Sequence, residues 1–237
     1  MTQSRHRWLV AIVTLAALLL FVRLGWWQWQ KSIQVQSQYD QYQARILQPP
    51  VVLGEGIRSA SELEDLPVLV RGEYEGDQQF FLDNKQEQGV PGLHVITPLH
   101  IQGTNIRILV NRGWVAWGSS RTQLPNVPVP KGLIEVEGIV NVPSQKKFFG
   151  ISNQELGSTE RLRMRLDLQS YAAEHQYPIQ PFLILQKNDK NQDGLVRHWE
   201  APENRANMHR SYALQWMLIS IALIIFVIYM GYKRNEK

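Results

Sequence analysis

Two long apolar runs, one near each end of the chain, are the strongest feature of the hydrophobic pattern. Residues 8–22 are apolar apart from Thr14, and this run reaches about 20 residues if Arg23 extends its charge to the interface and the helix continues to Trp27. Residues 212–232 form the second run, in which Gln215 and Ser220 are polar. Because each run is long enough to cross a bilayer as a helix, the pattern predicts two terminal transmembrane helices.

The pattern changes between the two runs. Residues 31–47 are rich in Gln and contain neither Gly nor Pro, so the first helix is expected to continue as a stalk until Pro49 and Pro50 stop it. Beyond the prolines the hydrophobic period becomes two, which is typical of half-buried strands. The predicted strands are residues 68–73, 79–83, 93–99, 106–112, 134–142, 161–168, 182–186 and 195–199, with a short helix at residues 168–176.

These elements predict an α+β membrane protein in which two terminal transmembrane helices flank a mainly β domain, a small barrel or a sandwich. The alternation is clearest at 161–168, where the leucines and Met164 are expected inside and the arginines and Asp167 in water. The last two strands are expected to form a hairpin with its loop at 188–194. The predicted segments are a lead at 1–7, helix 1 at 8–29, a stalk at 30–50, the β-rich domain at 51–207, helix 2 at 208–232 and a tail at 233–237.

The positive charge of the chain, a net +4, lies at its two ends. Residues 30–211 carry 19 Lys and Arg against 20 Asp and Glu, while the rest of the chain carries 6 against 1. Basic residues precede the first span and follow the second, so the positive-inside rule predicts that both termini are cytoplasmic and the β domain is extracytoplasmic. The central domain has no basic excess, which argues against nucleic acid as a partner.

The first apolar run has a basic lead, as a secretory signal peptide does. A small-residue cleavage site should then follow the run, but Arg23, Leu24, Gly25, Trp26 and Trp27 stand there instead, which favours an uncleaved anchor. The seven-residue lead is too short for a mitochondrial transit peptide. We therefore expect a bacterial plasma membrane protein with two spans, in contact with membrane lipid.

The motifs of catalysis are missing from the sequence, which favours a protein that is not an enzyme. Cysteine is absent, and no nucleophile elbow, glycine-rich phosphate loop or His-x-x-x-His pair occurs. The spacing of Asp189, Asn191, Asp193 and Glu200 matches a calcium-binding EF-hand loop. A polar turn is the favoured interpretation, because an EF-hand requires flanking helices and Pro202 follows Glu200 closely.

A cluster of polar and aromatic residues is expected where the two spans meet the outer interface. His209, Tyr212 and Trp216 recur at helical spacing at the start of the second span. Trp27 and Gln28 lie at the same level on the first span. The two helix ends could form one pocket, or these side chains could be an ordinary interfacial belt.

Three short motifs follow one another along the chain. They are Leu24, Gly25, Trp27 and Gln28 at the end of the first span; Val110, Asn111, Arg112, Gly113, Trp114 and Val115 at the end of a strand; and His209, Tyr212, Ala213 and Trp216 at the start of the second span. Together they resemble the signatures of the Surfeit locus protein 1 family of cytochrome c oxidase assembly factors. Lys31 departs from the Arg that usually follows the first motif.

The resemblance implies a non-enzymatic role in maturing the catalytic subunit of a haem-copper oxidase, with haem a as the group that is inserted and haem a synthase as a further partner. It also implies that His209 is the haem iron ligand, with Gln28, Tyr212, Trp216 and Trp27 around it. A cofactor-free scaffold for an assembly intermediate is the alternative. Within the second motif, Asn111, Arg112 and Trp114 either contact a haem propionate or a partner, or form a strand-to-turn structure.

Overall fold

The computed structural model describes residues 2–118, 123–143, 161–187 and 193–235, and the chain divides into two compact units. The helical unit comprises Met1–Gln43 and Ala201–Lys237, and the β unit comprises Ala44–Glu200. In chain order the elements are α1 (Thr2–Ile46), β1 (Val51–Leu53), α2 (Ala60–Leu63), β2 (Pro67–Tyr74), β3 (Phe80–Glu87), β4 (Val90–Ile101), β5 (Arg107–Ala116), β6 (Leu133–Asn141), β7 (Leu162–Arg163), α3 (Leu168–His175), β8 (Ile179–Gln186) and α4 (Ala206–Asn235).

The two terminal helices contain the two apolar runs. The segments Trp8–Ile46 and Ala206–Lys233 are each long and apolar enough to cross a membrane, and their best windows have a mean hydropathy of 2.3. About nine-tenths of each window remains unburied, unlike the core helix of a globular domain, and this suggests a membrane protein with two spans. As predicted, α1 continues beyond its apolar run and ends at Ile46, before Pro49.

The β unit is built on a closed barrel. Strands β2, β6, β8, β5 and β4 are hydrogen-bonded in that order, and β4 pairs again with β2 to close the ring. The pair β5 and β8 is parallel, and the other pairs of the ring are antiparallel. Closure is achieved because the long strand β4 pairs with β3 along its first half and with β2 at Leu99, His100 and Ile101. Of the two predicted alternatives, the barrel is therefore correct.

The buried apolar side chains of the described β unit form three clusters. The barrel interior holds one apolar cluster, which includes Val68, Val110 and Ile184. The opposite face of β3, β4, β5 and β8 carries a second cluster, which includes Phe80 and Leu109 and which α3 covers through Tyr171. A third cluster includes Phe81 and Val95. Burial of apolar area in the three clusters stabilises the unit by about 25 cal/mol for each Å² removed from water.

Two predicted elements are wrong. Residues 161–168 form only the two-residue strand β7, and within them Arg163 is buried while Met164 is exposed. Arg163 lies over the ring of Phe80 and pairs with Glu174 at 2.6 Å, and these contacts stabilise its buried position. The alternation of apolar and polar residues does not reveal such contacts. Residues 195–199 do not form a hairpin with β8; Val196 makes an isolated bridge with Trp114 of β5 instead.

Candidate functional site

The helices α1 and α4 pack against each other in an antiparallel pair. Contacts join Phe21 to Trp216, Gln28 to His209 and Gln36 to Asn204, so the residue number rises on one helix as it falls on the other. The buried residues of α4, namely Ala206, Ala213 and Ser220, recur every seven positions and therefore lie on one face of the helix.

The two helices approach closely at Gly25. A Cβ atom built on Gly25 would lie 3.4 Å from Cβ of Trp216 and 3.5 Å from the carbonyl oxygen of Ala213. Small residues permit backbones to approach in this way, as is common between helices in membranes. The predicted motif that contains Gly25 therefore has a packing role as well as any functional one.

His209 is held by a hydrogen bond from one helix to the other. Its Nδ1 lies 2.7 Å from Oε1 of Gln28. An amide oxygen can only accept, so Nδ1 carries the hydrogen in this bond, and in the neutral ring Nε2 keeps its lone pair. A bond of this type fixes both the tautomer and the orientation of the ring, as the outer partners of metal-bound histidines do. His209 itself is half-buried.

The aromatic residues of the predicted cluster have different surroundings. Trp216 is half-buried and stacks on Phe21, with ring centroids 5.6 Å apart. Tyr212 is 45% exposed and Trp27 is 55% exposed. Trp27 precedes Gln28 by one residue, so it is rotated about 100° away around the helix. The structure therefore brings Gln28 and His209 into contact. It places Trp216 about two turns further along α4, against Phe21, and does not bring Trp27 to the same face.

The second motif forms a buried polar network at one end of the barrel. The Arg112 side chain is 1% exposed and donates to Oε1 of Gln79 at 2.9 Å and to the carbonyl of Pro128 at 3.0 Å. It also pairs with Asp193 at 3.5 Å. Burial lowers the pKa of Arg112, and the charge of Asp193 opposes this shift. These contacts favour the structural interpretation of the motif, because the guanidinium faces protein groups rather than solvent.

The bulge in β5 explains why the motif contains a glycine. Asn111 pairs with Ile96 and Gly113 pairs with Val95, so Arg112 is the extra residue between them. Gly113 has φ +142°, and a Cβ there would lie 2.9 Å from the carbonyl oxygen of Val196. The adjacent Trp114 is 9% exposed and is hydrogen-bonded through its backbone to Val196.

The segment that resembles a calcium loop has other partners in the structure. Asp189 and Asn191 lie outside the described residues. Asp193 accepts from Arg112, from Arg197 and from the backbone of Leu195, so its carboxylate is already neutralised. The preceding residues are strand β8 rather than an EF-hand helix, and the described residues contain no group of three or more potential metal ligands.

One contact of the second motif was missed by the sequence analysis. Nδ2 of Asn111 lies 3.0 Å from Nδ1 of His94 on the neighbouring strand. The predicted strands already implied this contact, because a hairpin of residues 93–99 and 106–112 places His94 and Asn111 on one face near its open end. Sequence spacing alone showed His94 without a partner.

Comparison with known proteins gives a consistent set of relatives. The sequence profile of the SURF1 family matches residues 15–221 of the chain. The chain is 27% identical to Surfeit locus protein 1 of Xenopus tropicalis over 158 residues, which is 60% of the chain and 50% of that protein. It is 28% identical to Surfeit locus protein 1 of Takifugu rubripes over 145 residues, 55% of the chain and 60% of that protein. A SURF1-like protein of Caenorhabditis briggsae is 23% identical over 87% of the chain and 70% of its own length. The chain thus spans about half the length of the vertebrate relatives that it matches.

Proposed function

Because the chain belongs to the SURF1 family, whose members are known in general as cytochrome oxidase assembly factors, we propose that it assists the assembly of a haem-copper oxidase in a membrane. Three kinds of support converge on this proposal: the match covers residues 15–221, both apolar helices are long enough to span, and the three sequence motifs occur in the family's order. The partners proposed are the catalytic subunit of the oxidase and haem a synthase.

We further propose that haem a is the cargo and that His209 is its iron ligand. The observation that carries this step is the bond between Nδ1 of His209 and Gln28, because it leaves Nε2 as the free nitrogen of an oriented imidazole. A neutral imidazole is a common axial ligand of haem iron. In this role Gln28 is a positioning residue, which acts on the ligand rather than on the iron.

The surroundings of His209 fit a haem that rests against the helix pair rather than between the helices. At Gly25 the helices approach too closely to admit a macrocycle, and Trp216 is already stacked on Phe21. Tyr212 and Trp27 are exposed apolar surfaces at the level of His209 and would contact a membrane-facing ligand or lipid. His209 would hold the haem through its Nε2, and the haem iron would supply a Lewis acid for that nitrogen.

A cofactor-free scaffold is the second candidate function, and the packing of the helices is the observation that favours it. The two helices pack directly against each other without a ligand between them, because Gly25 contacts Ala213 and Trp216. In that case the hydrogen bond between Gln28 and His209 acts only as a polar contact that fixes the register of two membrane helices.

The proposed location is a bacterial plasma membrane, with both termini in the cytoplasm and the β unit outside it. Support comes from the basic residues that flank the two spans, Arg5 and Arg7 before the first and Lys233, Arg234 and Lys237 after the second. A reporter enzyme fused at each terminus, and in a separate fusion at the exposed Lys131, tests this orientation.

Complementation separates the two candidate functions. In a strain that lacks the chain, the oxidase is purified, and its catalytic subunit and its haem a content are measured after re-expression of wild type, His209→Ala or His198→Ala. The haem carrier predicts that His209→Ala gives a catalytic subunit deficient in haem a, while the control substitution at an exposed histidine of the β unit behaves as wild type. A scaffold predicts normal haem a content with His209→Ala. An oxidase that assembles fully without the chain contradicts both.

A further inference from the structure

A second candidate site lies wholly within the β unit, on the face of the sheet opposite the barrel interior. There a cavity of about 400 Å³ is bounded by side chains from β3, β4, β5, β6 and β8, by residues 164–166 and by Trp199 and Glu200. A water molecule occupies roughly 30 Å³ of the liquid, so this cavity has room for a small organic molecule. The helical unit contributes no residue to it.

The wall of the cavity combines cations with apolar surface. Lys85 and Arg165 both line it, and neither forms an ion pair with another residue in the described part of the chain. Glu200 is the carboxylate among the lining residues. The lining residues therefore carry one excess positive charge, although Asp167, outside the lining, also interacts with Arg165. The apolar lining residues are Leu82, Met164, Leu166, Leu183, Leu185 and Trp199.

The backbone of β3 places Lys85 in this wall. The register of β3 against β4 shifts between Leu82 and Lys85, where Asn84 adopts a left-handed conformation with φ +57°. Three residues along a regular strand lead to the opposite face, but the extra residue of a bulge restores the same face. Leu82 and Lys85 consequently line one cavity. A bulge that directs a lysine into an apolar recess costs free energy through backbone strain and through desolvation of the ammonium group. A bound anion would offset the cost of desolvation.

The histidine of the cavity is kept neutral. His94 accepts from Nδ2 of Asn111 at 3.0 Å, which requires an unprotonated Nδ1. The edge of Trp199 packs against its ring, with centroids 5.6 Å apart. Burial, together with the charge of Lys85, lowers the pKa of His94 to about 4. Burial also lowers the pKa of Lys85.

We propose that this cavity binds a small amphipathic carboxylate, with Lys85 and Arg165 holding the carboxylate and the leucines and Trp199 holding its apolar body. A monoanion matches the single excess charge, whereas a phosphate dianion would exceed it. Guanidinium and ammonium groups form charge-assisted hydrogen bonds with carboxylates. The inference does not depend on the haem proposal, because no residue is shared between the two sites.

Binding is tested with benzoate as the probe on the full chain in an uncharged detergent. Benzamide has the same ring without the charge, and inorganic phosphate has charge without the ring. The ring nitrogens of His94 are observed by NMR on histidine-labelled protein and assigned with His94→Gln. Benzoate is expected to shift these signals saturably and to raise the pKa of His94, because a bound anion offsets the charge of Lys85. Benzamide and phosphate are expected to bind at least about tenfold more weakly.

Substitutions identify the groups responsible. Lys85→Met and Arg165→Gln should each weaken benzoate binding about tenfold or more, since each removes a charged hydrogen bond. Lys131→Met makes the same change of charge at an exposed position outside the cavity and should leave binding unchanged. An unaltered circular dichroism spectrum of Lys85→Met would exclude unfolding as the cause of weaker benzoate binding. Arg165→Gln tests the same cavity through a second residue. Equal binding of benzoate and benzamide, no saturable shift with benzoate, or full binding by both cavity variants overturns the proposal.

Discussion

The imidazole of His209 and the side-chain amide of Gln28, 181 residues apart in the sequence, are joined by a hydrogen bond of 2.7 Å between the two terminal helices. This bond connects the first and the third sequence motifs. Under the proposed function it also gives each motif a physical reason: His209 would supply a nitrogen ligand, and Gln28 supplies the acceptor that orients it.

Removal of the acceptor is expected to weaken haem binding without abolishing it. In Gln28→Leu the imidazole keeps Nε2 but loses its fixed tautomer and orientation, and the loss of such an outer partner costs roughly 10- to 100-fold in metal affinity. Gln28→Glu keeps an acceptor and should retain binding close to that of wild type. Titration of purified apoprotein with haem, followed by absorbance, compares the variants. Equal affinity of Gln28→Leu and wild type would show that the bond has no positioning role.

The close approach at Gly25 predicts a dependence on side-chain size. Gly25→Ala adds a Cβ at ordinary contact distance from Trp216 and Ala213, so its thermal stability should stay close to that of wild type. Gly25→Leu must separate the helices and is expected to cost about 1–3 kcal/mol, as overpacking does elsewhere. Thermal unfolding of the helical signal in detergent measures both. A Gly25→Leu variant as stable as Gly25→Ala would contradict the observed packing.

The buried network around Arg112 predicts a structural rather than a ligand-binding phenotype. Arg112→Met leaves Gln79, the Pro128 carbonyl and Asp193 without this donor, and breaking a buried pair in this way costs about 3–5 kcal/mol. The control Arg71→Met removes an exposed ion pair and should cost less than about 1 kcal/mol. Urea unfolding of the β unit gives both values.

A different outcome for Arg112 would support the alternative interpretation of the motif. If Arg112→Met were as stable as wild type but failed to restore haem a to the oxidase, the guanidinium would have to contact a propionate or a partner. Measurement of stability and complementation on the same variant therefore separates the two interpretations.

The lowered pKa of His94 predicts acid sensitivity of the β unit. The folded state holds His94 neutral down to about pH 4, whereas the unfolded chain binds a proton near pH 6.5. The unfolded state thus binds more protons across this window, so the free energy of unfolding decreases as pH falls from 6.5 towards 4. Lys85, Arg165 and Glu200 also line this site, and they are the same in wild type and in the variant His94→Gln with which it is compared.

The measurement is urea unfolding at pH 7 and pH 4.5 for wild type and His94→Gln. Wild type should lose about 2–3 kcal/mol more than the variant between the two values. An equal loss in both proteins would show that His94 titrates normally in the folded state.

The sequence predicts the helices and most barrel strands because their signals are local. Apolar length gives α1 and α4, and alternation gives β2 to β6 and β8. The closure of β4 onto β2 is a pairing between distant residues and leaves no local signal. Residues 161–168 were predicted wrongly because alternation treats every arginine as solvated, although Arg163 is stabilised by aromatic rings and Glu174.

The candidate site could be predicted only in part, for a related reason. Helical rise places Gln28 and His209 at the same level, but the direction in which each side chain points depends on the crossing of the two helices. Trp27 shares that level and still lies on another face. The cavity near His94 depends on a bulge at Asn84, which no periodicity reveals in advance.

The visible absorption spectrum of the protein, purified in detergent from cells that make haem a, tests the central claim most directly. Wild type and the exposed-histidine control His198→Ala should carry the absorption band of haem a, and His209→Ala should lack it although the protein is folded. A wild-type protein without this band, or an unchanged band in His209→Ala, would contradict the assignment of His209 as the haem ligand.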